Sequence, residues 1–79
     1  MTRIQEFTDT LNDENKLTAL ANKANRRRRK AGLSEISVDV IRTEYTLAKA
    51  VEEAKAENNL EGFTIRMKDL IAHQTQYGL

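Results

Sequence analysis

The sequence contains no cysteine, no proline and no tryptophan, and it has only three glycines among 79 residues. Without cysteine, disulfides, zinc–thiolate sites and thiol nucleophiles are all excluded. Without proline, the chain has few residues that would interrupt a helix. Aromatic residues make up only 5% of the chain and hydrophobic residues 39%, so we expect one small domain with a modest core.

Long apolar runs are also missing. No segment approaches the roughly 20 residues that cross a bilayer. At the N-terminus, Glu6 follows Arg3 and Ile4 with no apolar stretch between them, unlike the start of a signal peptide. We therefore expect a cytoplasmic protein with no membrane partner.

The formal net charge of +1 conceals a strong segregation of charge along the chain. Residues 1–15 carry a net charge of −3, residues 16–30 carry +7, and residues 31–61 carry −4. A partner senses the local field rather than the total charge. The basic window at 16–30 is therefore the main functional signal in the sequence.

Apolar residues recur at helical spacing, and no stretch alternates with the period of a β-strand. The pattern predicts an all-α protein with helices at about 3–11, 13–31, 35–58 and 60–76. The apolar sets of the first two segments point roughly 110° apart on one continuous helix. This favours a break at Asn12–Asp13, although a single bent helix also fits. We expect a single domain over residues 1–79: a small antiparallel bundle of the three longer helices, with the short N-terminal helix across one end.

Glycine and small polar residues mark the ends of the predicted helices. Gly32 can adopt the left-handed conformation that closes the second helix, and Leu33 would then pack back over the turn. Either Ser34 or Ser37 would cap the third helix. The pair Asn58–Asn59 would end that helix and cap the fourth.

The last helix carries an apolar stripe that the bundle should bury. The stripe consists of Leu60, Phe63, Met67, Leu70, Ile71 and Tyr77. Ile65 and Ala72 lie opposite this stripe, either as a second contact face or as isolated exposed residues.

One charged residue interrupts the apolar side of the third helix. Glu44 projects between Val40 and Ala48, and a buried carboxylate needs a partner or becomes protonated. Arg66, at the flank of the last apolar stripe, is the candidate for a buried ion pair with Glu44. The alternative is that Glu44 lies at a seam between helices and reaches water.

No residue pattern points to catalysis. The single histidine, His73, forms an i, i+4 pair with Asp69, but no nucleophile accompanies it. The chain has no metal-ligand spacing and no glycine-rich phosphate loop. We expect no enzymatic activity, no cofactor and no metal site, and a structural or surface role for His73.

The basic window contains the candidate binding residues. They are Lys16, Lys23, Arg26, Arg27, Arg28, Arg29 and Lys30. The helix dipole stabilises one or two cations at a helix C-terminus, but five consecutive ones repel one another. Nucleic-acid phosphates, an acidic surface on another protein, or the chain's own carboxylates would neutralise them. A hairpin turning at Gly32 would bring Glu35 and Asp39 near the run and leave Glu52–Glu57 farther away, so internal neutralisation should be partial.

We hypothesise that the chain is a small binding module that contacts nucleic-acid backbone through this basic cluster with little sequence specificity. No aromatic residues are interleaved with the cations for base stacking, and the segment around Gly32 lacks the pattern of a helix-turn-helix. The alternative is a protein–protein interaction module, regulatory, inhibitory or involved in assembly, of the kind that phages and other mobile elements encode. Its basic cluster would dock on an acidic protein surface, or on the acidic third helix of a second copy in a homo-oligomer.

Overall fold

The computed structural model describes residues 2–79. The helices are α1 Arg3–Leu11, α2 Glu14–Lys30, α3 Val38–Ala56 and α4 Leu60–Tyr77. Within the described range there is no β-strand, and the all-α prediction is confirmed. None of these helices combines the length and the apolar character that a membrane crossing requires.

The first two helices are separate. Asn12 ends α1, and the side chain of Asp13 caps α2 by accepting hydrogen bonds from the backbone N–H groups of Asn15 and Lys16 at 3.0 and 3.2 Å. An aspartate in this position satisfies amides that have no partner within the helix. The predicted break at Asn12–Asp13 is therefore confirmed.

The long helix α3 is the centre of the bundle, because α1, α2 and α4 all pack against it. Phe7 of α1 meets Tyr45 edge-on, with ring centroids 5.6 Å apart, and Arg3 lies 3.8 Å from Glu52. These contacts place α1 antiparallel to the C-terminal half of α3. The short helix lies alongside α3 rather than across one end of the bundle, because its apolar side has the Tyr45 ring to pack against.

The main core lies where α2, α3 and the segment between them meet. Leu17, Ala21, Ile36 and Ile41 form one buried cluster, in which Leu17 is completely inaccessible. The half-buried residues that pack around this cluster are Leu20, Ala24, Val38, Val40, Tyr45 and Tyr77. Burial raises the pKa of the Tyr45 hydroxyl, and the charge of Glu44 raises it further. The Tyr45 side chain therefore stays neutral inside the bundle at ordinary pH.

The connection between α2 and α3 begins as the sequence predicts. Gly32 adopts the left-handed conformation with φ of 73°, and the Leu33 N–H donates to the Arg28 carbonyl at 2.8 Å. The Leu33 side chain, however, is 50% exposed. It does not pack back over the turn as expected, and Ile36 enters the core instead.

Asn25 of α2 holds the rest of this connection in place. Its amide nitrogen donates to the Ile36 carbonyl at 2.9 Å, and its amide oxygen accepts from the Ile36 N–H at 2.8 Å. Both backbone groups of Ile36 thus bond to α2, and the first backbone hydrogen bond of α3 is accepted by Ser37. The helix α3 therefore begins at Val38, with Ser37 as its cap and not Ser34, later than the predicted start at residue 35.

The helix α4 runs antiparallel to α3 on the side away from α1. Asn58, with φ of 55°, and Asn59, which accepts from the Gly62 N–H at 2.9 Å, separate the two helices as predicted. The expected burial of the whole α4 stripe is wrong, because Leu60 is 79% exposed and Ile71 is 52% exposed. Two polar residues of α4, described below, take up part of the face that meets α3.

The double hydrogen bond of Asn25 gives a direct test of this fold. We expect Asn25→Ala to lower the free energy of unfolding by about 1–3 kcal/mol, because it leaves two backbone groups of buried Ile36 without partners. Urea denaturation followed by circular dichroism measures the change. Asn15→Ala, the same substitution at an exposed position of the same helix, should change stability by less than about 0.5 kcal/mol. Equal effects of the two substitutions would contradict this role for Asn25.

Candidate nucleic-acid interface

The helix α2 carries the basic window, and its core contacts decide which cations face outwards. Leu17 and Ala21 lie on the side that packs in the core. At about 100° per residue, residues 16, 23, 26, 27 and 30 lie within one arc of roughly 100° on α2, and the centre of this arc is about 130° from Leu17. We call these five residues, Lys16, Lys23, Arg26, Arg27 and Lys30, the basic stripe.

All five residues of the basic stripe are exposed. Lys23, Arg26, Arg27 and Lys30 have the i, i+3, i+4, i+7 spacing of neighbours on one helix face, and with Arg29 they border one open concavity. Among residues 2–79, no carboxylate lies within 4.0 Å of a charged group of the stripe. From Lys23 to Lys30 the stripe is therefore a continuous positive surface that the chain does not neutralise, and Lys16 adds a separate charge about two turns nearer the start of α2.

Arg28 is different from its neighbours in the run. Its Nε donates to the Ser34 carbonyl and one terminal nitrogen donates to the Tyr77 carbonyl, both at 2.6 Å, and the side chain is half-buried. Residue 28 continues the line of Leu17 and Ala21, so its side chain points towards the core side of α2. It joins the end of α2 to the α2–α3 connection and to the end of α4. Arg28 belongs to the run of predicted binding residues, but its guanidinium group is hydrogen-bonded inside the fold.

Arg29 forms the one ion pair of the run in the described part of the chain. Its terminal nitrogen lies 2.5 Å from a carboxylate oxygen of Glu35, and both side chains are exposed. An exposed pair of this kind contributes little to stability. Internal neutralisation is thus partial, as predicted, and Glu35 provides it while Asp39 does not.

Arg42 of α3 neutralises the acidic residues closest to α2. It is hydrogen-bonded to Glu14 at the start of α2 and to Asp39 in its own helix. The hydrogen bond to Glu14 is the largest cause of a pKa for Arg42 above its usual range, so this residue stays charged. Sequence reasoning missed this contact, because only the packing of α2 on α3 brings residues 14 and 42 together.

The other candidate residues make backbone contacts rather than ion pairs. Arg66 donates to the Ala50 carbonyl at 3.0 Å, and no ion pair with Glu44 forms within the described range. Glu44 is half-buried, in agreement with the alternative of a position at a seam. Arg66 reaches α3 six residues beyond Glu44, about 1.7 turns along the helix, and donates to a carbonyl oxygen there.

His73 packs inside the α3–α4 interface instead of pairing with Asp69. Its Nε2 lies 3.0 Å from the Val40 carbonyl oxygen, and its ring centroid lies 5.0 Å from that of Tyr77. A carbonyl oxygen only accepts, so Nε2 carries a proton and donates it to this bond. The contact gives His73 a structural role. Within residues 2–79, no three acidic or histidine side chains gather as a metal site would require.

The fold and this surface define a small helical bundle with a basic stripe along one exposed helix. Comparison with protein-family models, with curated proteins and with solved structures finds no match to this chain.

The adjacent residues Arg27 and Arg28 provide a matched test of the two roles within the run. We expect Arg28→Met to lower the free energy of unfolding by about 1.5–3 kcal/mol, because charged hydrogen bonds to two carbonyl groups are lost. Arg27→Met should change it by less than about 0.5 kcal/mol, because this side chain faces solvent. Urea denaturation of both variants measures the difference. If both are equally stable, the internal role of Arg28 is contradicted.

Proposed function

We propose that the chain is a small non-enzymatic binding module that contacts nucleic-acid backbone through the basic stripe, with little sequence specificity. The observation that carries this proposal is the set of five exposed cations on one side of α2 without an acidic partner among the described residues. Such a surface lowers its own repulsion energy when it meets an array of negative charges.

The dimensions of the stripe suit a phosphate backbone. From Lys16 to Lys30 the helix rises roughly 21 Å at 1.5 Å per residue. One strand of B-form DNA presents a phosphate about every 3.4 Å along the axis, so the stripe spans about six phosphates. Arginine and lysine neutralise phosphates and release the counterions condensed on them, which favours binding at low salt.

Acidic residues near α2 do not oppose this proposal. Glu35 is paired with Arg29, and Glu14 and Asp39 are both bonded to Arg42. Two arginines thus offset most of the charge of these three carboxylates and leave a net charge of −1 in the group. Because these carboxylates are paired with arginines, they repel an approaching phosphate less strongly than unpaired carboxylates would.

The arrangement of α3 supports contact with the backbone rather than reading of bases. In a helix-turn-helix, the second helix is free to enter the major groove. Here the helix that follows α2 is the central one, with other helices packed on both of its sides. Phosphate contacts position a protein without reading sequence, so we expect similar affinity for oligonucleotides of different sequence.

Replacing two arginines of the stripe tests the proposal. We expect the double variant Arg26→Ser, Arg27→Ser to bind a duplex oligonucleotide at least about tenfold more weakly at low salt. The slope of log K against log salt should fall in magnitude by about 1.8, because roughly 0.9 is lost for each phosphate contact. Fluorescence anisotropy at several salt concentrations measures both quantities. Arg28 is left unchanged, so that the fold is preserved.

The control is the double variant Arg3→Ser, Lys55→Ser, which removes the same charge from the other end of the molecule. Arg3 and Lys55 lie 3.8 and 3.7 Å from Glu52, and Arg3 also lies 6.0 Å from the centre of the Phe7 ring. Because the Glu52 side chain is partly buried, urea denaturation is used to check that this control stays folded. This control should keep the affinity and the slope of the unmodified chain. If the unmodified chain fails to bind duplex and single-stranded oligonucleotides at low salt, the proposal is wrong, and an acidic protein surface becomes the partner to test.

A further inference from the structure

The helix α4 meets α3 through a face that differs from its most apolar side. Arg66 and His73 reach carbonyl groups of α3, and this contact turns part of the apolar stripe outwards. Leu60 and Ile71 are exposed, and Met67 is half-buried between them. With Thr64 they follow the spacing i, i+4, i+7, i+11, which forms one continuous line along a helix. We call Leu60, Thr64, Met67 and Ile71 the apolar ridge.

Thr64 does not interrupt the apolar character of the ridge. Its hydroxyl donates to the Leu60 carbonyl of the same helix at 3.0 Å. This bond satisfies the polar hydrogen within α4, so the methyl group of Thr64 can contact an apolar partner. The ridge is about 17 Å long at 1.5 Å per residue.

Two opposite charges, Glu61 and Lys68, border the ridge on its exposed side. Neither has an ion-pair partner among residues 2–79. The sequence of α4 explains this, because residues three and four positions away from each are polar, apolar or, at Glu57, of like charge. Since Glu61 and Lys68 are seven residues apart, they cannot pair with each other within one straight helix.

We propose that the apolar ridge is the contact surface of a homodimer, in which α4 packs antiparallel to α4 of a second copy about a two-fold axis. In this arrangement Leu60 of one copy faces Ile71 of the other, and Thr64 faces Met67. Glu61, which flanks the ridge, then faces Lys68 of the second copy. The two-fold axis creates a second, equivalent pair between Lys68 of the first copy and Glu61 of the second. One surface thus complements itself in apolar character and in charge, which selects a second copy of this chain as the partner.

This proposal is independent of the proposed nucleic-acid contact. The ridge belongs to α4, whereas the basic stripe faces outwards on α2, and none of the residues tested below belongs to the stripe. The dimer also differs from a contact between the basic end of one copy and acidic α3 of another. High salt would weaken that contact strongly, whereas burial of an apolar ridge is much less sensitive to salt.

Two isoleucines of α4 provide a matched pair for the first test. Ile71 lies on the ridge and Ile65 lies off it, and their side chains are similarly exposed, at 52% and 54%. We expect the unmodified chain to dimerise in sedimentation equilibrium at micromolar to millimolar concentration. Ile71→Ser should weaken the dimer at least about tenfold, whereas Ile65→Ser should leave it unchanged within about threefold. A monomer throughout this range, or equal effects of the two variants, would overturn the proposal.

Exchange of the two flanking charges tests the antiparallel register. Glu61→Lys alone and Lys68→Glu alone each place like charges opposite one another, and each should weaken the dimer about tenfold. The double variant Glu61→Lys, Lys68→Glu restores opposite charges and should recover the original affinity within about threefold. Asp69→Lys makes the same charge change as Glu61→Lys on the far side of α4 and should have little effect. Failure of the double variant to recover dimerisation rejects this register.

Discussion

The structure depends on two polar side chains of α2 that hold the connection to α3. Asn25 bonds to both backbone groups of Ile36, and Arg28 bonds to the carbonyl groups of Ser34 and Tyr77. Together they bring Ile36 into a core of only four clustered residues and join the end of α4 to α2. In a chain this short the hydrophobic core alone contributes little net stability. Directed hydrogen bonds at the connection therefore add to the stability that this small core provides.

The direction in which each side chain leaves α2 gives chemically identical residues different roles. Four consecutive arginines follow one another at about 100° around α2, so each meets a different environment. Arg28 faces the core side and is structural, Arg29 pairs with Glu35, and Arg26 and Arg27 face solvent with the lysines of the basic stripe. The positive surface is therefore smaller than the run of charges suggests, but it is continuous and directed to one side.

The orientation of α4 shows how polar contacts compete with an apolar stripe. Arg66 and His73 are partly buried and form hydrogen bonds to α3 carbonyl groups in the interface between the two helices. Leu60 and Ile71 stay exposed as a result, which leaves a second surface available for association. Had the hydrophobic stripe alone set the rotation of α4, Arg66 would lie at the rim and the apolar ridge would be buried. The basic stripe and the apolar ridge thus lie on different helices and have different causes.

The sequence by itself determined the four helices, the breaks at Asn12–Asp13 and Gly32, the asparagine pair between α3 and α4, and the position of the positive charge. These follow from interactions within a few residues, such as caps, left-handed turns and helical periodicity. Only the tertiary structure decided that α1 lies beside α3, that Arg28 is internal, that Glu44 and Arg66 do not pair, and how α4 is rotated. Periodicity defines the apolar side of a helix only broadly, and long polar side chains bond to whichever acceptor packing brings within reach. That choice depends on contacts between residues far apart in the chain, such as Arg28 with Tyr77, which no local pattern encodes.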